Sequence, residues 1–164
     1  FLLLTSEQLA GYSHVFSCLG TTLKQAGSKA AFYQVDYEIN AHVAHLLEHT
    51  KSHFLIVSSI GANPKSVFFY QRVKGELEQS LQSLNLYRLS IFRPSLLIGE
   101  REQHRLLEGI GQKIYQKILP LLPQSFQYLP VTAEQVAHTM VEAARNQTQW
   151  CEIYANLAIQ QYPR

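Results

Sequence analysis

His53-Phe54-Leu55-Ile56-Val57, closed by Ser58-Ser59 and Gly61, is the feature that most constrains this chain. A strand with one wet face alternates apolar with polar residues, whereas a nearly continuous apolar run suits a strand covered on both faces. Around it the period changes to that of a helix. Ile39, Val43, Leu46 and Leu47 fall at i, i+4, i+7 and i+8, which predicts an amphipathic helix from about Asp36, as its N-cap, to Thr50. His14 to Cys18 reads as a strand ending at Gly20-Thr21-Thr22, with Gly27 and Ser28 as later punctuation, and Tyr87 to Phe92 as a strand cut off by Arg93-Pro94. Pro64 to Leu84 reads as a loop leading into a helix, and Glu100 to about Leu119 as a long helix. Phe126 to Val131 looks extended, Thr132-Ala133-Glu134-Gln135 is a capping box opening a helix to about Arg145, and Cys151 to Leu157 makes a last strand. Strand and helix alternate throughout. The expected fold is therefore α/β: a Rossmann-like, doubly wound, mostly parallel sheet with helices on both faces, in a single domain over residues 1–164.

Composition narrows the function classes. Lys+Arg number 14 against 12 Asp+Glu, too even a balance for a nucleic-acid surface. No stretch reaches the roughly 18 uninterrupted apolar residues of a membrane span. Phe1-Leu2-Leu3-Leu4 has no basic region before it and no small-residue cleavage site after it, and is not read as a signal peptide. Cys18 and Cys151 make neither a disulfide framework nor a CxxC pair, so a reducing cytoplasm is the expected compartment. Charged residues make up 16%, against about 25% in an average soluble domain. That shortfall predicts a surface partly covered by a protein partner, a second copy or further chain.

In sheets of this class ligands bind outside the carboxyl ends of the strands. The residues to inspect are Gly20-Thr21-Thr22, Ser58-Ser59 and Arg93-Pro94-Ser95. Tyr70 and Lys74 stand at i and i+4, on one face of a helix. An ammonium beside a phenol favours the phenolate, as a tyrosine acting as general acid/base requires. Ser58, twelve positions before Tyr70 at a strand end, is placed to orient a substrate carbonyl. A YxxxK spacing alone is a common accident of amphipathic helices; the strand-end serine and the alternating framework give it weight. His42, His45 and His49 share one helical stripe but read as a solvated face, and no metal is expected. Tyr12, Phe32, Tyr33, Tyr37, Phe68 and Phe69 lack a basic stripe and read as core and pocket wall; Phe68-Phe69, just before Tyr70, favours an apolar substrate. Cys18 reads as a small buried hydrophobe. Gly109-Ile110-Gly111 begins a GxG, but Ile114 stands where the third glycine belongs, and the segment lies in a helical pattern.

The pattern Ser58-x11-Tyr70-x3-Lys74 on this framework resembles the short-chain dehydrogenase/reductase superfamily. Cys18-Leu19-Gly20-Thr21-Thr22, Val35-Asp36, Ser58-Ser59-Ile60-Gly61-Ala62, Tyr70-x3-Lys74-Gly75-Glu76 and Phe92-Arg93-Pro94 recur in that order in an atypical branch, the Tat-interacting-protein-like oxidoreductases and their bacterial NAD(P)-binding relatives. The resemblance implies a nicotinamide cofactor, NADP or NAD, and a small carbonyl or alcohol substrate. It implies Tyr70 as proton donor/acceptor, Lys74 as the residue that bonds the nicotinamide ribose and tunes Tyr70, and Ser58 (or Ser59) as the group polarising the carbonyl. Leu19, Gly20 and Thr21 would line the cofactor, and Arg93 with Pro94 would lie at the nicotinamide end. A plain salt bridge is the competing expectation for Arg93.

Two departures stand out. The glycine-rich phosphate loop that the superfamily carries after its first strand has no counterpart in the sequence, so the first βαβ units are expected to be truncated and one sheet edge left open. Asp36 replaces the asparagine many relatives carry, which puts their proton-relay water in doubt. Two functions are therefore carried forward: an NAD(P)-dependent oxidoreductase, and a nucleotide-binding regulatory or interaction protein with little turnover.

Overall fold

The computed structural model describes residues 2–98 and 126–162. The helix expected over 100–119 and the Gly109-Ile110-Gly111 segment lie outside the described residues. Elements follow in chain order: α1 (Ser6–Leu9), β1 (His14–Ser17), α2 (Leu23–Ala26), α3 (Lys29–Tyr33), a π-helical turn (Gln34–Glu38), α4 (Ile39–Leu46), β2 (His53–Val57), α5 (Phe69–Ser83), β3 (Arg88–Arg93), β4 (Leu97–Ile98), β5 (Val131–Thr132), α6 (Ala133–Asn146), β6 (Cys151–Ala155) and α7 (Asn156–Gln160). Four strands form one parallel sheet in the order β1-β2-β3-β6, and β4 pairs with β5 in a small second sheet.

The unbroken apolar run of β2 has the expected cause. Phe54 and Ile56 point to one face, where they pack with Leu89 and Ile91 of β3 against Ala41, Ala44, Leu77 and Leu81 of α4 and α5. Leu55 points to the other, joining Phe92, Val136, Met140 and Ala143 beneath α6. Each face thus needs its own helical layer, and the chain supplies one before β3 and one after it. The edge strands are less covered: Phe16 on β1 is 48% exposed, and among the described strands β1 pairs only with β2.

Thr132 caps α6 through the expected box, its hydroxyl accepting from Gln135 N while the Gln135 side chain returns to Thr132 N. The expectation that Asp36 caps a helix is corrected. Ser28 is the cap, accepting from Ala31 N, and the chain runs helically from Lys29 through the π turn to Leu46. Asp36 lies inside that turn and is 1% exposed. Cys18, read as a small buried hydrophobe, is exposed.

A polar chain crosses the sheet near the amino ends of the strands. The Gln147 amide nitrogen donates to Leu89 O and Gln149 O, which fixes its oxygen as acceptor for the Ser90 hydroxyl. Ser90, its own proton spent, accepts from His53 Nε2 at 2.7 Å, which places a proton on Nε2. Its other ring nitrogen, Nδ1, is buried without a hydrogen-bond partner. Burial, with His14 and Arg88 nearby, pushes His53 down from its ordinary value to about 4. An unfolded histidine gains its proton below about pH 6.5, while the folded one resists until about 4. This contribution is complete above pH 6.5 and is lost as the pH falls to about 4. Urea unfolding should therefore show stability dropping by about 3 kcal/mol over that window. His53→Gln, which keeps a donor for Ser90, should flatten the slope; an unchanged slope would refute this account.

Candidate functional site

All strands of the main sheet run the same way, so the segments after β1, β2 and β3 emerge along one edge. Helix α5 starts at that edge. Its approach is close because position 75 has no side chain: a Cβ on Gly75 would lie 2.2 Å from the Asn63 carbonyl carbon and 2.3 Å from Pro64 N. The bare helix surface lets Asn63 N donate to Gln71 O at 3.0 Å. The loop carrying Ser58 and Ser59 is thereby seated directly on the turn that bears Tyr70 and Lys74.

Tyr70, Lys74 and Glu78 follow at i, i+4 and i+8 and share one stripe of α5. Tyr70 is 37% exposed; its ring tilts against the buried Phe32 at 5.7 Å between centroids. Among the described residues its hydroxyl has no hydrogen-bond partner. One turn on, Lys74 is 3% exposed, and its ammonium forms an ion pair with Asp36 Oδ1 at 2.7 Å. The second carboxylate oxygen of Asp36 accepts from Thr21 N at 2.8 Å. A further turn on, the buried Glu78 takes Arg93 in a forked pair, from Nε at 3.0 and 3.1 Å and from a terminal guanidinium nitrogen. It also accepts the Ser58 hydroxyl proton. The Glu78 carboxylate holds the Arg93 guanidinium above its ordinary range.

The structure brings most of the residues singled out from sequence to this edge and gives several of them partners that sequence did not show. Gly20 stands against the buried pair: a Cβ there would lie 3.3 Å from Asp36 Oδ1 and 3.7 Å from Lys74 Nζ. Leu19 is half-buried and Gly20 open to solvent, in the loop that Asp36 holds through Thr21. Ser58 is buried with its proton given to Glu78, while Ser59 is half-buried beside it. Arg93 makes the salt bridge that competed with a cofactor role. Glu78 is the residue sequence reasoning missed; its signal was the spacing Lys74-x3-Glu78 together with a lone arginine at the end of β3. Away from this edge, His42 bonds Leu4 O, His45 bonds Glu48 and His49 meets Asn85. No group of three potential metal ligands occurs among the described residues. A cavity of about 300 Å³ between α6, β6 and α7 shares no residue with this cluster.

These residues fit the nicotinamide-ribose end of a dinucleotide. Asp36 Oδ1 faces the Lys74 ammonium as an ion pair without a hydrogen bond, and the Lys74 donors have no hydrogen-bond partner among the described residues, an arrangement suited to sugar hydroxyls. The uncovered backbone at Gly20 permits close approach.

A parallel sheet layered by helices on both faces, with a Tyr-x3-Lys helix at its carboxyl edge, places the chain in the Rossmann-like class. The solved dTDP-4-dehydrorhamnose reductase of Bacillus anthracis, in complex with NADP, superposes with a TM-score of 0.61 over 87% of this chain and 56% of that one, at 12% identity. Within that class the chain belongs to the HIM1 family, whose profile matches residues 6–130. Protein FMP52-1, mitochondrial, of Scheffersomyces stipitis is 38% identical over 85% of this chain and 62% of that protein. Protein HTATIP2 of Rattus norvegicus is 38% identical over 64% of this chain and 44% of that protein. The chain thus spans about three-fifths of the length of the first of these relatives. The expectation of a cytoplasmic compartment is overturned by relatives that are mitochondrial by name. Two free cysteines carry no address.

Gly75→Ala would force the loop off α5. We expect a loss of at least about 2 kcal/mol, read as a lowered urea midpoint; a midpoint matching the parent would show that the loop yields freely.

Proposed function

We propose that this protein is an NAD(P)-dependent oxidoreductase of the short-chain dehydrogenase/reductase type, acting on a carbonyl or alcohol. The observation that carries the reading is the juxtaposition, on one stripe of α5, of a half-exposed phenol and a buried ammonium whose donors have no hydrogen-bond partner among the described residues. Lys74 and the Gly20-Thr21 backbone would bind and orient the nicotinamide ribose, with Leu19 lining the same loop. The bound nicotinamide would supply a hydride to the carbonyl carbon. Tyr70 would give its hydroxyl proton to the carbonyl oxygen and, in the reverse direction, take it back. Ser58 or Ser59 would polarise that oxygen; Ser58 would have to turn from Glu78 to do so. Arg93, held by Glu78, would wall the nicotinamide end. The exposed Phe68, next to Tyr70's helix, supports an apolar substrate. The mitochondrial names among its relatives support that organelle as the compartment.

A second reading is favoured by one observation: Lys74 faces a carboxylate, which offsets part of its field at Tyr70. Under it the protein binds nucleotide and turns over little. Carbonyl reduction by the complete protein with NADPH or NADH, across aldehydes and ketones of rising chain length, separates the two. Tyr70→Phe should reduce turnover about 100-fold or more and leave dinucleotide affinity within about twofold of the parent. Turnover unaffected by Tyr70→Phe would remove the acid/base role, and tight binding without turnover in the parent would favour the second reading.

A further inference from the structure

We propose that Asp36 is a positioning residue, a direct carboxylate clamp that joins the loop after β1 to Lys74 and so presets the cradle for the nicotinamide ribose. The inference rests on the oxidoreductase reading and adds a residue to it. Asp36 lies on the π turn, and π turns inside longer helices are frequent at functional sites because the extra residue re-aims a side chain. Here the carboxylate points inward to a site that is 1% exposed. Each oxygen has a different partner, Lys74 Nζ at 2.7 Å and Thr21 N at 2.8 Å. The turn is itself anchored to β1: the Ser17 hydroxyl donates to Asn40 Oδ1, and Asn40 Nδ2 reaches Val35 O and Asp36 O at 3.2 and 3.4 Å.

The charge balance explains why a carboxylate is needed. An ammonium this deeply buried is strongly destabilising unless an opposite charge faces it. An amide at position 36 could still bond Thr21, but it would leave Lys74 without a counter-charge and free to swing toward solvent. The clamp acts through charge and leaves Lys74 N–H donors for the hydroxyls of a ribose. The absent side chain at Gly20 belongs to the same arrangement, because a larger residue there would crowd both members of the pair.

The test compares Asp36→Asn, Lys74→Met and the double variant in the complete protein, with calorimetric affinities for NADPH, NADH and an adenosine-only probe, ADP. Asp36→Asn should weaken NADPH or NADH, whichever the parent binds, by about tenfold or more, since a charge-assisted contact is lost. ADP should be unaffected, because it lacks the nicotinamide ribose; a merely structural defect would weaken both probes. The double variant, which buries no unpaired charge, should bind the dinucleotide no more weakly than Lys74→Met alone. It keeps the comparison available if Asp36→Asn fails to fold. Losses that multiply in the double variant, or an Asp36→Asn variant equal to the parent, would overturn the clamp. A parent that binds neither dinucleotide would instead overturn the functional reading beneath it. Loss of turnover in Tyr70→Phe with unchanged binding in Asp36→Asn would leave that reading standing and remove only Asp36.

Discussion

Everything at the carboxyl edge depends on taking Lys74 out of water without leaving its charge unmatched. Desolvating an ammonium costs several kcal/mol even after relaxation, and Asp36 is the group that offsets it. That requirement reaches well beyond the pair. It calls for the π turn that aims Asp36, the bare backbone at Gly20 and the seat of α5 on the loop after β2. Glu78 solves the same problem one turn further along, with Arg93 and Ser58 as its partners. The helix that carries the candidate acid/base tyrosine is therefore pinned by two charge pairs, one to the π turn and one to β3. Tyr70, at the end of the same stripe, is left with a hydroxyl that has no hydrogen-bond partner among the described residues.

The layers of the fold lead to this arrangement in order. A strand apolar on both faces must be covered twice, and covering it with helices that cross over between neighbouring strands makes those strands parallel. Parallel strands release all their following loops along one edge. The site is thus a by-product of how the core is buried, and its chemistry comes from what those loops and the first turns of α5 carry.

Much of this was legible in the sequence where the signal is local. The run from Phe54 to Ile56 announced a doubly covered strand, and the Thr132 and Gln135 pair announced the start of α6. Tyr70 and Lys74 could be placed on one face because their spacing is a helical turn. What escaped was set by tertiary contact. Asp36 looks like a helix cap, since aspartate favours that place, yet Ser28 had already opened the helix and the burial of Lys74 draws Asp36 inward. Glu78 at four residues from Lys74 looks like one half of a surface pair, and nothing local shows that Arg93 arrives above it from β3. Ser58 was placed by its strand-end position and its spacing to Tyr70, and nothing in that spacing shows that Glu78 accepts its hydroxyl hydrogen bond. The compartment was misjudged because cysteine usage responds to redox conditions and not to sorting.

The π turn has one more consequence. A helical rod with a residue inserted at its middle behaves as two screws cut out of phase: Phe32 on the first is aligned with the start of α5, while Ala44 and Leu47 on the second are aligned with the sheet. Each half can then drift in composition without disturbing the other, provided the count of residues between them is kept. Lineages of this domain should accordingly accept many exchanges of side chain along the rod and very few changes in its length.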